Sequence, residues 1–174
     1  MDLQEQLATR IQGNVVIMGI GNPCRGDDAA GSLVARQIRD APGARVIDAQ
    51  DVPEHYLCLV VHPQPDIVVL IDSVELDSAP GSVALLEKDQ LAGYWPSTHR
   101  VPISLLMHCL ERETNARIFL IAIQPRQTVF LGPISEEVHA SVALIAKVLN
   151  RVLEMRRLPA HVVFTDQSRR EVPA

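Results

Sequence analysis

Short, continuous apolar runs recur along the chain, and helical patterns lie between several of them. A run of this kind that stops at glycine or aspartate is typical of a strand covered on both faces. Because predicted strands alternate with predicted helices, the pattern indicates a parallel or mixed sheet with helices on both faces. The strands are predicted at residues 15–18, 44–47, 67–71, 83–86 and 118–123, and the helices at 29–39, 53–61, 103–112 and 136–156.

The composition fits one domain that buries its own core. The chain has 174 residues, of which 47% are hydrophobic, so it needs neither disulfides nor a structural metal to fold. We expect the domain to span residues 1–158 and residues 159–174, which are largely polar, to form a flexible C-terminal tail. The net charge of -5 is scattered along the chain, so neither nucleic acid nor an anionic membrane is an expected partner.

The cysteines and the N-terminus favour a cytoplasmic location. Cys24, Cys58 and Cys109 are odd in number and have no Cys-x-x-Cys spacing, which argues against a disulfide framework and a zinc knuckle. The first residues lack the apolar core of a signal peptide, and no apolar run reaches the roughly 20 residues of a membrane span. We therefore predict a cytoplasmic protein with no membrane insertion.

The glycine loop after the first predicted strand reads GIGNPCRGDDAAG. Glycines at this place can let a backbone approach a pyrophosphate. This loop, however, lacks the third glycine of the G-x-G-x-x-G pattern and has no Walker lysine, and its two carboxylates would repel phosphate. Phosphate binding is therefore disfavoured.

Four ionisable residues lie where the loops of such a sheet converge, beyond the carboxyl ends of its strands. Asp27 and Asp28 follow the first strand, Asp72 ends the third, and His99 precedes a predicted helix. Asp27 is best explained as a helix cap, while Asp28, pointing another way, faces the cleft. Asp72 is costly to bury unless it is bonded or bound to a cation, although a turn-forming Asp-Ser pair explains it equally well. His99 alone could be a surface histidine.

Two carboxylates and one imidazole from three loops suit zinc, nickel or a similar divalent ion. An incomplete ligand set leaves coordination positions open, either for a metal that belongs to another molecule or for polarising a carbonyl and activating water. The chain has no G-x-S-x-G or H-E-x-x-H motif, and the other histidines are interpreted as structural or surface residues. These are His55, His62, His108, His139 and His161.

Four segments together resemble the hydrogenase maturation endopeptidases, from about residue 15 to about residue 153. They are GIGNPCRGDDAAG, VVLIDSV, STHRVPISLL and IFLIAIQP, in the family's order and approximate spacing. The chain is most similar to the branch that processes the hydrogenase of formate-hydrogenlyase systems. The resemblance implies an α/β fold, which we expect to be one twisted, mostly parallel sheet of about five strands with helices on both faces.

The resemblance also implies an activity and a site. The enzyme would remove the C-terminal extension of a nickel-iron hydrogenase large-subunit precursor after nickel insertion. Asp28, Asp72 and His99 would be both the catalytic and the metal-contacting residues. The nickel would come with the precursor, and zinc or cadmium could replace it in vitro.

The chain departs from the family pattern at three places. Many relatives have glutamate at Asp28 and glycine at Ala29, and a glycine-rich turn where residues 48–50 stand; that turn could touch the substrate. Three alternatives remain open at this stage. They are a Rossmann-like non-catalytic module that binds a nucleotide or metal, a hydrolase with its own metal, and a nickel-delivery or scaffold protein.

Overall fold

One five-stranded sheet organises the protein. The computed structural model describes residues 2–93 and 102–156. The strand order is β2-β1-β3-β5-β4, and every neighbouring pair is parallel except β4 with β5. This confirms the predicted mostly parallel α/β sheet. The strands are β1 Val15–Ile20, β2 Ala44–Gln50, β3 Ile67–Ser73, β4 Val83–Leu86 and β5 Arg117–Ile123.

The helices agree with the prediction in number and place except at the N-terminus. There, an unpredicted helix begins at a capping box in which Asp2 and Glu5 each accept the other's backbone N–H. The predicted helix at 53–61 is a 3-10 turn, Pro53–Tyr56, followed by a short α-helix. The α-helices are α1 Leu3–Arg10, α2 Ala30–Gln37, α3 Leu57–Val61, α4 Ile103–Glu113 and α5 Glu136–Met155.

Two apolar cores cover the two faces of the sheet. Alternate residues of a strand point to opposite faces. In β1, Val15 and Ile17 therefore pack with α1, α2 and α5, whereas Val16 and Met18 pack with α3 and α4. The central strands β1 and β3 are buried along their whole length, which explains why they appear in the sequence as unbroken apolar runs.

The order of the strands creates a switch point between β1 and β3. From β1 the chain crosses through α2 to β2 on one side, and then returns through α3 to β3 on the other side. At such a point the two loops that leave the carboxyl ends of neighbouring strands separate and open a crevice, where ligands bind in open α/β sheets. The glycine loop leaves β1 at this point, and Asp72 lies at the end of β3.

Helix α2 lies unusually close to the switch point because of Gly31. A Cβ atom added at Gly31 would lie 2.1 Å from the carbonyl oxygen of Ile71 and 2.2 Å from that of Ile20. No side chain fits there, so glycine lets the helix contact the ends of β1 and β3 directly. The 3-10 turn Gly26–Ala29, which leads into α2, is thereby held near the carboxyl ends of β1 and β3.

Two further expectations concern the ends of the chain and membranes. Helix α5 ends at Met155, and the proposed tail at residues 159–174 lies outside the described residues. Within the described part of the chain, no helix has the length and apolar character needed to cross a bilayer.

Candidate functional site

Asp28 and Asp72 are brought together at the switch point. Asp28 lies in the 3-10 turn Gly26–Ala29 and is 1% exposed; Asp72 lies near the end of β3 and is 0% exposed. The side chain of Ser73 donates to Asp28 Oδ1 at 3.4 Å, and its backbone N–H donates to Asp72 Oδ1 at 2.8 Å. Ser73 therefore links the two carboxylates, and we call these three residues the carboxylate pair with its bridging serine.

The position of Asp72 answers one question that the sequence left open. Asp72 is paired within β3, opposite Ala122 of β5, so it is a strand residue and not part of an Asp-Ser turn. Since strand residues alternate, Asp72 points to the face covered by α3 and α4. Asp28 approaches from α2, on the other face. The two acids thus meet at the rim from opposite sides of the sheet.

Asp27 has a different role from the one expected. The prediction that it caps a helix is wrong, because neither the 3-10 turn nor α2 has a side-chain cap. Asp27 is instead wholly buried and accepts from the backbone N–H groups of Arg126 (2.8 Å), Gln127 (3.1 Å) and Ser135 (2.6 Å), and from Ser135 Oγ (2.9 Å). It fastens the loop between β5 and α5 to the glycine loop. We call this arrangement the Asp27 clamp.

The glycine loop is also tied to the loop after β2. Gly21 N–H donates to the carbonyl of Gln50 at 2.8 Å, and Asn22 Nδ2 donates to Asp51 at 3.1 Å. Gln50 has a φ of 50°, a left-handed conformation that favours glycine. The carboxylate of Asp48 accepts from Ser32 Oγ and Arg36 Nε of α2, both at 2.7 Å, so it stabilises the packing of α2 on β2.

A third metal ligand is not supplied by the described residues. Within residues 2–93 and 102–156, no three His, Cys, Asp and Glu side chains are grouped so that they could hold a metal ion. His99, the third predicted site residue, lies outside the described residues, which resume at Pro102 just before α4. The donor chemistry that the structure does bring together is therefore two buried carboxylates.

The remaining histidines are not part of this site. His55, His62, His108 and His139 are exposed, as expected for surface residues, and His161 lies outside the described part of the chain. Sequence reasoning did miss two polar groups that contact Asp28. These are the hydroxyl of Ser73 and the backbone N–H of Asn22, which donates to Asp28 Oδ2 at 3.3 Å. Ser73 could have been found, because it directly follows a candidate acid at a strand end.

The fold and this site define a doubly wound α/β protein with an acidic site at its switch point, and the similarity to known proteins agrees. The sequence model of the family described as hydrogenase maturation protease matches residues 30–154. A Methanocaldococcus jannaschii chain assigned as a hydrogenase maturation protease is 30% identical over 168 residues, covering 90% of this chain and 99% of that one. The hydrogenase 3 maturation protease of Escherichia coli K12 is 28% identical over 133 residues, covering 75% and 85%.

A solved structure is similar over most of its length. The crystal structure of the NiFe hydrogenase maturation protease HycI from Thermococcus kodakarensis superposes with a TM-score of 0.78 at 28% identity, covering 86% of this chain and 99% of that one. This chain therefore belongs to the hydrogenase maturation protease family and is an endopeptidase. Because an endopeptidase is catalytic, the family argues against two of the alternatives, the non-catalytic binding module and the nickel-delivery or scaffold protein.

Proposed function

We propose that this endopeptidase removes the C-terminal extension of a nickel-iron hydrogenase large-subunit precursor after nickel has been inserted. The observation that carries the proposal is the carboxylate pair with its bridging serine, buried at the switch point where an α/β sheet binds its ligand. The similarity to hydrogenase maturation proteases supports the choice of substrate. The nickel belongs to the precursor and is thus part of the substrate.

Asp28, Asp72 and His99 are proposed to contact this nickel. Asp28 and Asp72 are both buried, and a divalent cation offsets the cost of burying a carboxylate. Carboxylate oxygen and imidazole nitrogen are suitable ligands for nickel, and they also accept zinc or cadmium, so either ion should replace nickel in vitro. Three ligands leave positions open for the groups of the precursor that already hold the metal.

In the proposed mechanism, recognition of the metal positions the peptide bond. The precursor's cysteines hold the nickel, and its contact with the carboxylate pair places the nearby scissile bond beside a water molecule that attacks it. Such proximity and orientation can lower a barrier by about 7–11 kcal/mol, so a strong side-chain nucleophile is unnecessary. In this mechanism, Ser73 fixes the positions of the Asp28 and Asp72 carboxylates relative to each other.

The location is proposed to be the cytoplasm. Cys24, Cys58 and Cys109 are all free thiols, and the first two are exposed. Exposed unpaired thiols suit a reducing compartment. The precursor would have to be processed in that compartment.

The test is the intact mass of a matched large-subunit precursor, nickel-loaded or nickel-free, before and after incubation with this protein. We expect loss of a C-terminal peptide from the nickel-loaded form alone. Cleavage of both forms would show a protease that does not recognise the metal, contradicting the nickel step. If neither form is cleaved while the E. coli hydrogenase 3 protease cleaves its own precursor in parallel, the proposed function is wrong.

A further inference from the structure

An exposed apolar segment lies next to the site, in the loop between β5 and α5. Val129, Phe130 and Leu131 are 61%, 65% and 76% exposed. Single exposed apolar residues are common on protein surfaces and need no explanation, and the other large ones in the described chain are isolated in sequence. These are Leu59, Leu105, Leu144 and Met155. Three consecutive exposed apolar residues are a different feature, which we call the apolar platform.

The apolar platform is held in a defined conformation. Gln127 Oε1 accepts from the N–H of Val129 at 2.9 Å, and the Gln127 side chain also donates to the carbonyl of Pro133. Leu131 has a φ of 59°, in the left-handed region that branched side chains avoid. A strained residue that persists in a well-bonded loop points to a function for that conformation.

Further hydrogen bonds fix the platform relative to the carboxylate pair. Leu131 N–H donates to the carbonyl of Cys24 at 2.7 Å, and Cys24 N–H donates to Asn22 Oδ1 at 2.9 Å. Asn22 in turn donates to Asp28. Asp27, the residue next to Asp28, holds the beginning of the β5–α5 loop through the Asp27 clamp. The platform and Asp28 therefore lie on two loops that hydrogen bonds join to each other.

We propose that the apolar platform binds an apolar segment of the protein substrate, next to the bond that is cut. This inference rests on the proposed function and names a surface that recognises the precursor in addition to its metal. An endopeptidase substrate extends beyond the scissile bond, so it must pass over surfaces that adjoin the site, and the platform is such a surface. Residues 128–132, TVFLG, carry no charge, so recognition there is by apolar contact.

Phe130 is expected to dominate this contact. Aromatic side chains supply much of the binding energy at protein interfaces because they bury a large area and have few rotatable bonds. The platform would thus determine how strongly the precursor binds, whereas the carboxylate pair would act on the metal and the scissile bond. The two surfaces make separable contributions to the kinetics.

The test uses Phe130→Ala and Leu131→Gly in single-turnover processing of the nickel-loaded precursor, with enzyme in excess and its concentration varied. Leu131→Gly removes the side chain at a left-handed position that glycine accepts, so the fold should not suffer. Leu144→Ala, a 51% exposed leucine of α5, is the matched control. We expect each platform variant to raise the half-saturating enzyme concentration by about tenfold with the maximal rate unchanged, and the control to change neither.

Each other outcome overturns the proposal in a distinct way. Unchanged half-saturation in both platform variants would show that the platform does not bind the precursor. A lower maximal rate with unchanged half-saturation would mean that the loop shapes the site instead. If sedimentation shows a dimer that Phe130→Ala dissociates, the surface joins two copies of the chain. If the wild-type protein leaves the precursor intact, the proposed function fails, and this inference, which names that precursor, fails with it.

Discussion

Asp27 and Asp28 are neighbours in sequence and both are buried, yet their surroundings differ. The Asp27 clamp is made of four bonds of 2.6 to 3.1 Å, three of them from backbone N–H groups of a distant loop. Asp28 accepts at 3.3 and 3.4 Å from Asn22 and Ser73, and Ser73 also contacts Asp72. The short bonds from fixed donors indicate that Asp27 stabilises the fold, whereas the longer bonds to Asp28 come from the glycine loop and from the serine beside Asp72.

One short loop thus serves both stability and chemistry. Successive residues at a loop-to-helix junction point in different directions, so Asp27 holds the β5–α5 loop while Asp28 faces the switch point. The clamp also fixes the apolar platform, because it binds the start of the same loop. Substitutions at the two neighbouring positions should therefore have opposite consequences.

The largest effect is expected from Asp28→Asn or Asp72→Asn. Each removes a charge that contacts the metal while keeping the shape of the side chain, so processing of the nickel-loaded precursor should slow by about 10³-fold. Stability should stay within about 1 kcal/mol, because asparagine keeps the shape of the side chain and removing a buried charge lowers its desolvation cost. Intact-mass time courses give the rate, and urea unfolding gives the stability. Full activity in both variants would remove the pair from the mechanism.

Asp27→Asn should do the reverse. In the wild type both oxygens of Asp27 accept hydrogen bonds. In the variant an amide NH2 group replaces one of these oxygens and leaves its donors without an acceptor, so the free energy of unfolding should fall by about 3 kcal/mol. Urea unfolding followed by circular dichroism measures this change. The rate per folded molecule should remain within about tenfold of the wild type, since Asp27 does not touch the substrate. Unchanged stability together with lost activity would place Asp27 in the site and contradict the clamp.

Ser73→Ala should have an intermediate effect on activity. It removes the hydroxyl that contacts Asp28 but keeps the backbone N–H that donates to Asp72. Because Ser73 is a positioning residue, we expect a loss of about tenfold in the maximal rate with little change in half-saturation. Ser73→Thr, which retains the hydroxyl, should restore most of the rate. No rescue would show that packing, rather than the hydrogen bond, is what matters at Ser73.

The smallest effect is expected from Asp28→Glu. The change extends the carboxylate by one methylene and keeps its charge. We expect the processing rate to stay within about threefold of the wild type, because both side chains supply a carboxylate oxygen. A loss as large as that of Asp28→Asn, measured in the same time course, would mean that the reach of the side chain is as important as its charge.

The sheet could be predicted from the sequence because its central strands are apolar on both faces. Residues 15–18, 67–71 and 118–123 all lie within observed strands, and the rule for strand ends placed Asp28 and Asp72 at one rim. Helix α1 was missed, although Asp2 and Glu5 have the spacing of a capping box and Leu3, Leu7 and Ile11 have helical spacing.

Other features had no local signal. The partners of Asp27 lie 99 to 108 residues away in sequence, and only the packing of the β5–α5 loop on the glycine loop brings them to it. The antiparallel direction of β4 likewise depends on tertiary pairing, since a run of four residues carries no information on direction. The role of His99 stays a prediction, because it lies outside the described residues.

The most direct test of the central claim, that Asp28 and Asp72 act as one unit, is a double-mutant cycle on processing. Single-turnover rates with the nickel-loaded precursor would be compared for the wild type, Asp28→Asn, Asp72→Asn and the double variant. Groups that act together are non-additive, so the account predicts a double variant no slower than the slower single variant. If the two losses multiply, or if either single variant keeps the wild-type rate, the two carboxylates do not form one site.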